Sequence, residues 1–126
     1  MNTGRKGDLG ALKAIQWFLY QGFEIFTPFS ESTKHDLIVV KDKQIKTIQC
    51  KYTSVIEKET NKSKNYSFFP LCKKRGALRI PYEKNSVDYF FVTCSNKDTY
   101  LIPGKECWGK KHIRLGKKYE KYKVSF

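Results

Sequence analysis

The chain lacks the residue groupings that build the commonest small metal and membrane signatures. Its four cysteines, Cys50, Cys72, Cys94 and Cys107, are widely spread, with no CxxC pair and no Cys/His cluster. That spacing excludes a zinc finger or ribbon, whose ligands come in short pairs, and predicts reduced, buried thiols. No apolar run approaches the ~20 residues needed to cross a bilayer. The opening "MNTGRKGDLG" carries no apolar signal region, so a cytoplasmic protein without a membrane partner is expected. Acidic residues are scarce as well: 12 Asp+Glu stand against 25 Lys+Arg, a formal charge of +13. Such an excess repels itself unless a polyanion relieves it, which makes nucleic acid the leading partner. A solvated basic surface without a specific ligand is the plainer alternative.

What the chain does have is rings. Nine Phe, eight Tyr and two Trp among 126 residues argue for a packed core rather than disorder. One domain over 1–126 is expected, with a basic segment over about 105–126 that interleaves eight Lys/Arg with Trp108, Tyr119, Tyr122 and Phe126. "GDLGALKAIQWFLYQG" reads as a helix begun at Asp8 and stopped at Gly22, with Leu12, Ile15 and Leu19 at helical spacing and Trp17 and Phe18 beside them. "FEIFTPF" reads as a strand ended by Pro28. "VDYFFVTC" reads as a buried strand, paired with "TYLIP" across the turn "SNKD". "YSFFPL" and "ALRIPY" fit edge strands or irregular segments around "KKRG", and residues 54–65 an exposed connection able to act as a contact element. The fold class is α/β: an N-terminal helix packed on a mixed β-sheet.

The informative stretch is "HDLIVVKDKQIKTIQCKYT", residues 35–53. A hairpin turning on Asp42-Lys43 pairs Val40 with Ile45, Ile38 with Thr47 and Asp36 with Gln49. Side chains two apart share a face, so Lys51 joins Gln49 and Asp36, while Leu37, Val39, Ile48 and Cys50 form the opposite, apolar face. A one-residue slip would bury the polar trio, so the hydrophobic pattern supports this register. An exposed cross-strand ion pair between Asp36 and Lys51 is one reading. The other is phosphodiester cleavage. That chemistry uses a divalent cation on oxygen ligands, here Asp36, the Gln49 side chain and the Cys50 backbone carbonyl, with Lys51 orienting water and stabilising developing charge.

Asp36 followed by Gln49-Cys50-Lys51 resembles the PD-(D/E)xK nuclease motif in its variant with Gln for the second acid. With "KGDLGALKAI" before it and "VDYFFV…TYLIP" after it, the chain is similar to the small homing endonucleases of bacterial group I introns, nearest to the kind found in a cyanobacterial initiator-tRNA intron. The resemblance implies a restriction-endonuclease-like core and cutting of double-stranded DNA in the bacterial cytosol. It implies a Mg2+ cofactor, or another divalent cation such as Mn2+ or Ca2+, and a homo-oligomer, a tetramer or else a dimer. It also implies a Glu in the first helix where this chain has Ala11, so slow or absent cleavage is expected here.

Lys34, His35, Lys73, Lys74, Arg75 and Arg79 are the candidates for DNA contact. Two rivals stand beside the homing enzyme: a junction resolvase on the same fold, and a non-catalytic DNA- or RNA-binding module.

Overall fold

The first helix is set by its two ends. In the computed structural model, which describes residues 2–30, 35–54, 66–70, 72–75, 78–81 and 86–126, α1 spans Thr3–Tyr20. Asn2 caps it, its side-chain oxygen accepting the Arg5 N–H at 2.9 Å. The helix therefore starts about one turn before the expected Asp8, which sits inside it and caps nothing. At the other end Gly22 adopts φ +86°. There the Gly22 N–H donates to the Leu19 carbonyl and the Phe23 N–H to the Phe18 carbonyl, each at 3.0 Å. This is a Schellman cap, completed by the Phe18 and Phe23 rings, whose centroids are 5.2 Å apart.

The main sheet has six strands: β1 (Glu24–Phe26), β2 (Leu37–Lys41), β3 (Gln44–Thr53), β7 (Tyr89–Cys94), β8 (Thr99–Pro103) and β10 (Lys123–Val124), adjacent in that order. The central pair, β3 with β7, is parallel; the remaining pairs are antiparallel. The parallel crossover contains β4 (Tyr66–Phe68) and the antiparallel hairpin β5 (Cys72–Arg75) and β6 (Leu78–Pro81). β4 pairs with β9 (Ile113–Leu115) as a second small ribbon.

Each face of the sheet carries its own core. Between α1 and the sheet, Ala14 and Phe18 of the helix pack on Leu37, Val39, Ile48 and Phe91. On the opposite face Phe90, Val92, Cys94 and Ile102 meet Tyr66, Phe68, Ile113 and Leu115 of the β4–β9 ribbon. β7 thus buries alternate side chains on both faces, which is why its sequence is a continuous apolar run rather than an alternating one. Each fully buried side chain of this size contributes about 1.5–3 kcal/mol of transfer free energy. The helix face differs from the expectation in one respect: Leu12 and Leu19 remain 61% and 59% exposed. The stripe that docks is Ala14 and Phe18 flanked by Ile15 and Trp17.

Two polar devices fix the centre. The Asp88 carboxylate accepts the Thr47 N–H at 2.9 Å, and the Asp88 N–H returns to the Thr47 hydroxyl at 3.0 Å, locking the start of β7 to β3. Gly104 follows β8 where a Cβ would stand 2.0 Å from the Val87 carbonyl oxygen, so no larger residue fits without backbone movement. The C-terminus closes the helix side: Trp17 Nε1 donates to the Ser125 carbonyl at 3.1 Å. The basic terminal segment is therefore integrated into the fold. Residues 55–65, most of the expected contact loop, lie outside the described residues. Among the described residues no helix is long and apolar enough to cross a membrane.

Candidate active site

The site begins with a turn. Asp42 and Lys43 adopt φ 51° and 65°, the left-handed conformations of a two-residue type I′ connection, whose twist matches the flanking strands. It sets the pairs Lys41 with Gln44, Val40 with Ile45 and Leu37 with Ile48. Beyond the last pair the Asp36 N–H still donates to the Ile48 carbonyl, at 2.9 Å, which keeps Asp36 at the edge of β3 beside Gln49 and Cys50. The expected register is the observed one from Leu37 to Lys41, the partner of Gln44, and the expected Asp36–Gln49 pair falls just beyond the paired residues.

From this register the faces follow. Leu37, Val39 and Ile48 are buried under α1, with Cys50 packed against the same cluster. Gln49 and Lys51 point the other way, in lateral register with Phe90 and Val92 of β7. Phe68 closes that side, its ring 5.8 Å from Phe90. Gln49 therefore sits between Asp36 on one flank and an aromatic wall on the other, and Asp36, Gln49 and Lys51 are all half-buried.

Asp36 is held in place by the backbone it faces. Its Oδ2 accepts the Cys50 N–H at 2.8 Å, substituting a side chain for the ladder bond that β2 no longer supplies. A carboxylate keeps a second oxygen for another partner. Because N–H and C=O of one strand residue point to the same edge, the Cys50 carbonyl is directed to the Asp36 side as well. The Cys50 thiol, by contrast, faces the helix. Burial first, and the Asp36 charge second, push its pKa far upward, so it stays a neutral thiol.

Gln49 Oε1 is buried and has no hydrogen-bond partner among the described residues. A buried acceptor left in this state costs about 1–3 kcal/mol. A cation held between it, Asp36 and the Cys50 carbonyl would offset that cost, and an all-oxygen donor set suits a hard divalent ion such as Mg2+. The residues present therefore fit such an ion, although with a single carboxylate. Among the described residues no three His, Cys, Asp or Glu side chains gather to hold a metal.

The helix approaches the same place from the other face. A Cβ on Gly10 would lie 3.3 Å from the Lys51 carbonyl oxygen, and Lys6 Nζ donates to Ser54 Oγ at 3.2 Å. Ala11, half-buried, is thus on the turn of α1 that crosses β3 at Lys51.

The DNA-contact candidates are dispersed. His35 directly precedes Asp36 and is half-buried. Lys73, Lys74, Arg75 and Arg79 all belong to the β5–β6 hairpin, where Lys74 pairs with Arg79 and Lys73 with Ile80; of the two segments that read as edge strands or irregular chain, "ALRIPY" supplies β6 and "YSFFPL" supplies β4, while β5 lies on the basic run between them. Lys34 lies outside the described residues. The sequence reading passed over Asp88, whose only signal is its place directly before a buried strand.

A helix on one face of a mixed sheet, with a polar strand pair opening on the other, defines an endonuclease core of the restriction type. The chain belongs to the PD-(D/E)XK endonuclease family, whose sequence model matches residues 1–124. Enzymes of this family generally use divalent metals. In fold the chain is similar to a solved bacterial homing endonuclease, I-Ssp6803I, with a TM-score of 0.71 and 21% identity over 93% of this chain and 80% of that one. No curated protein matches the sequence.

Proposed function

We propose that this nuclease is a site-specific, divalent-metal-dependent homing endonuclease that hydrolyses phosphodiesters of double-stranded DNA and works as a homo-oligomer, a tetramer or else a dimer. The observation that carries the reading is the Gln49 amide oxygen, buried and without a hydrogen-bond partner among the described residues, beside a backbone-anchored Asp36. Asp36, Gln49 and the Cys50 carbonyl hold the cation. When bound, such an ion stabilises negative charge on the phosphate. Lys51 orients the attacking water and adds positive charge where charge develops. The Phe90 and Phe68 wall limits water on one flank. The similar solved protein is itself a bacterial homing endonuclease, and group I intron homing in the bacterial cytosol fits that likeness.

Ala11 weakens this machine. With Glu absent from α1, one carboxylate faces the ion where two would bind it more tightly, and turnover is slow or lost. DNA is gripped by the cationic candidates, above all Lys73, Lys74, Arg75 and Arg79 on their hairpin, with Lys34 and His35 near the catalytic strand. The single acid also favours a second reading, a DNA-binding module that has lost catalysis. Plasmid nicking by the native chain and by Ala11→Glu, with and without Mg2+, separates the two. Metal-dependent nicking by Ala11→Glu supports the enzyme, and binding without any cleavage by either form supports the module.

A further inference from the structure

The outer surface of the β4–β9 ribbon has no part in the site described above. Tyr66 and Phe68 of β4, and Ile113 and Leu115 of β9, point inward and are buried. The residues between and beside them point outward. Phe69 is 45% exposed, and its ring centroid lies 5.0 Å from that of the exposed His112. Arg114, also exposed, stands across the ribbon from Ser67. Lys110, half-buried with its Nζ donating to the Tyr119 hydroxyl at 3.5 Å, and the exposed Lys111 immediately precede His112.

The ribbon also has a definite height on the sheet. Phe68 lies on Phe90, and Phe90 is the lateral partner of Gln49. Phe69 therefore emerges at the level of the candidate cleavage site, on the outside of its aromatic wall.

We propose that Phe69 and His112 form a stacking platform for unpaired DNA bases, with Arg114, Lys110 and Lys111 holding the adjoining phosphates. The reason is chemical. A duplex hides the faces of its bases and offers phosphates and groove edges, so cations alone suffice to grip it. Exposed rings set among cations match bases that have left the stack. The platform rests on the DNA-cutting reading, because its place at the level of Gln49 and Phe90 matters only if a strand is cut there.

Fluorescence anisotropy in EDTA, where nothing is cut, tests it with two probes: a blunt duplex and the same duplex carrying a short unpaired thymine tail. The native chain is expected to prefer the tailed probe. Phe69→Ala should weaken tailed-probe binding by about 10-fold and leave blunt-duplex binding unchanged. Phe69→Trp should keep the preference, and His112→Ala should lose part of it. Equal affinity of the native chain for both probes, or equal losses on both in Phe69→Ala, overturns the platform. Thermal melting of each variant checks the fold. Failure of the nuclease reading looks different: Ala11→Glu would not nick plasmid with Mg2+, whatever the tail preference.

Discussion

The Asp36 carboxylate and the Cys50 backbone form one unit, with Oδ2 accepting the Cys50 N–H at 2.8 Å. Asp36 therefore has two separable jobs: completing the β3 hydrogen-bond ladder and offering charge to a cation. Asp36→Asn retains an acceptor oxygen but no charge, so it should unfold within about 1 kcal/mol of the native chain. Asp36→Ala strands the N–H and should lose about 1–3 kcal/mol. Both should abolish cleavage when built into an Ala11→Glu background. Urea unfolding and plasmid nicking give the two readouts; an Asn variant as unstable as the Ala variant would show that charge, not the hydrogen bond, anchors the strand.

Ala11 sits on the helix turn that meets Lys51, next to a glycine whose absent Cβ permits the approach. Restoring Glu there should raise Mg2+-dependent nicking by at least about 10-fold, the effect of roughly 1.4 kcal/mol on the barrier. In that active form Lys51→Ala should remove cleavage and leave most binding, since it deletes one of 25 cationic side chains. Equal rates for the native chain and Ala11→Glu would take the helix out of the site.

Much of this geometry is legible in the sequence because β-structure is periodic. Alternation in "DLIVVKDKQIKTIQCK" admits one register, and the turn residues Asp42 and Lys43 set it physically. Local chemistry was less decisive at the start of α1, where Asn2 outcompeted Asp8 because a cap must precede the first turn. Leu12 and Leu19 misled for a related reason: helical spacing identifies a stripe, but which stripe docks depends on sheet residues distant in sequence, here Phe91, Val39 and Ile48. The β4–β9 pairing joins segments about 45 residues apart and has no local signature.

The buried thiols give a prediction in pH. Burial is the main cause that pushes Cys94 and Cys107 up to about 12 from an ordinary 9.0. The unfolded chain loses these protons first, so the native state binds more protons between the two values. Stability from these groups is fully present below pH about 9 and is lost as pH rises toward about 12. In a Cys50→Ser, Cys72→Ser background, which leaves only the buried Cys94 and Cys107, a thiol reagent at pH 8 should react only as fast as the protein unfolds. Immediate reaction in native buffer would show open thiols.

The hairpin charges make the last prediction, because salt separates phosphate contact from mere solubility. Each phosphate neutralised by a Lys or Arg adds about 0.9 to the magnitude of the log–log salt slope of duplex binding. Lys73→Ala with Lys74→Ala should therefore lower that magnitude by about 1.8 if both reach phosphates. Reduced affinity should appear across all duplex sequences alike, since phosphate contacts carry no sequence information. The same measurement on a pair of remote lysines, Lys117 and Lys118, should leave the slope nearly unchanged. Equal loss from both pairs would mean that the net charge of +13 attracts DNA diffusely and that the β5–β6 hairpin has no privileged contact.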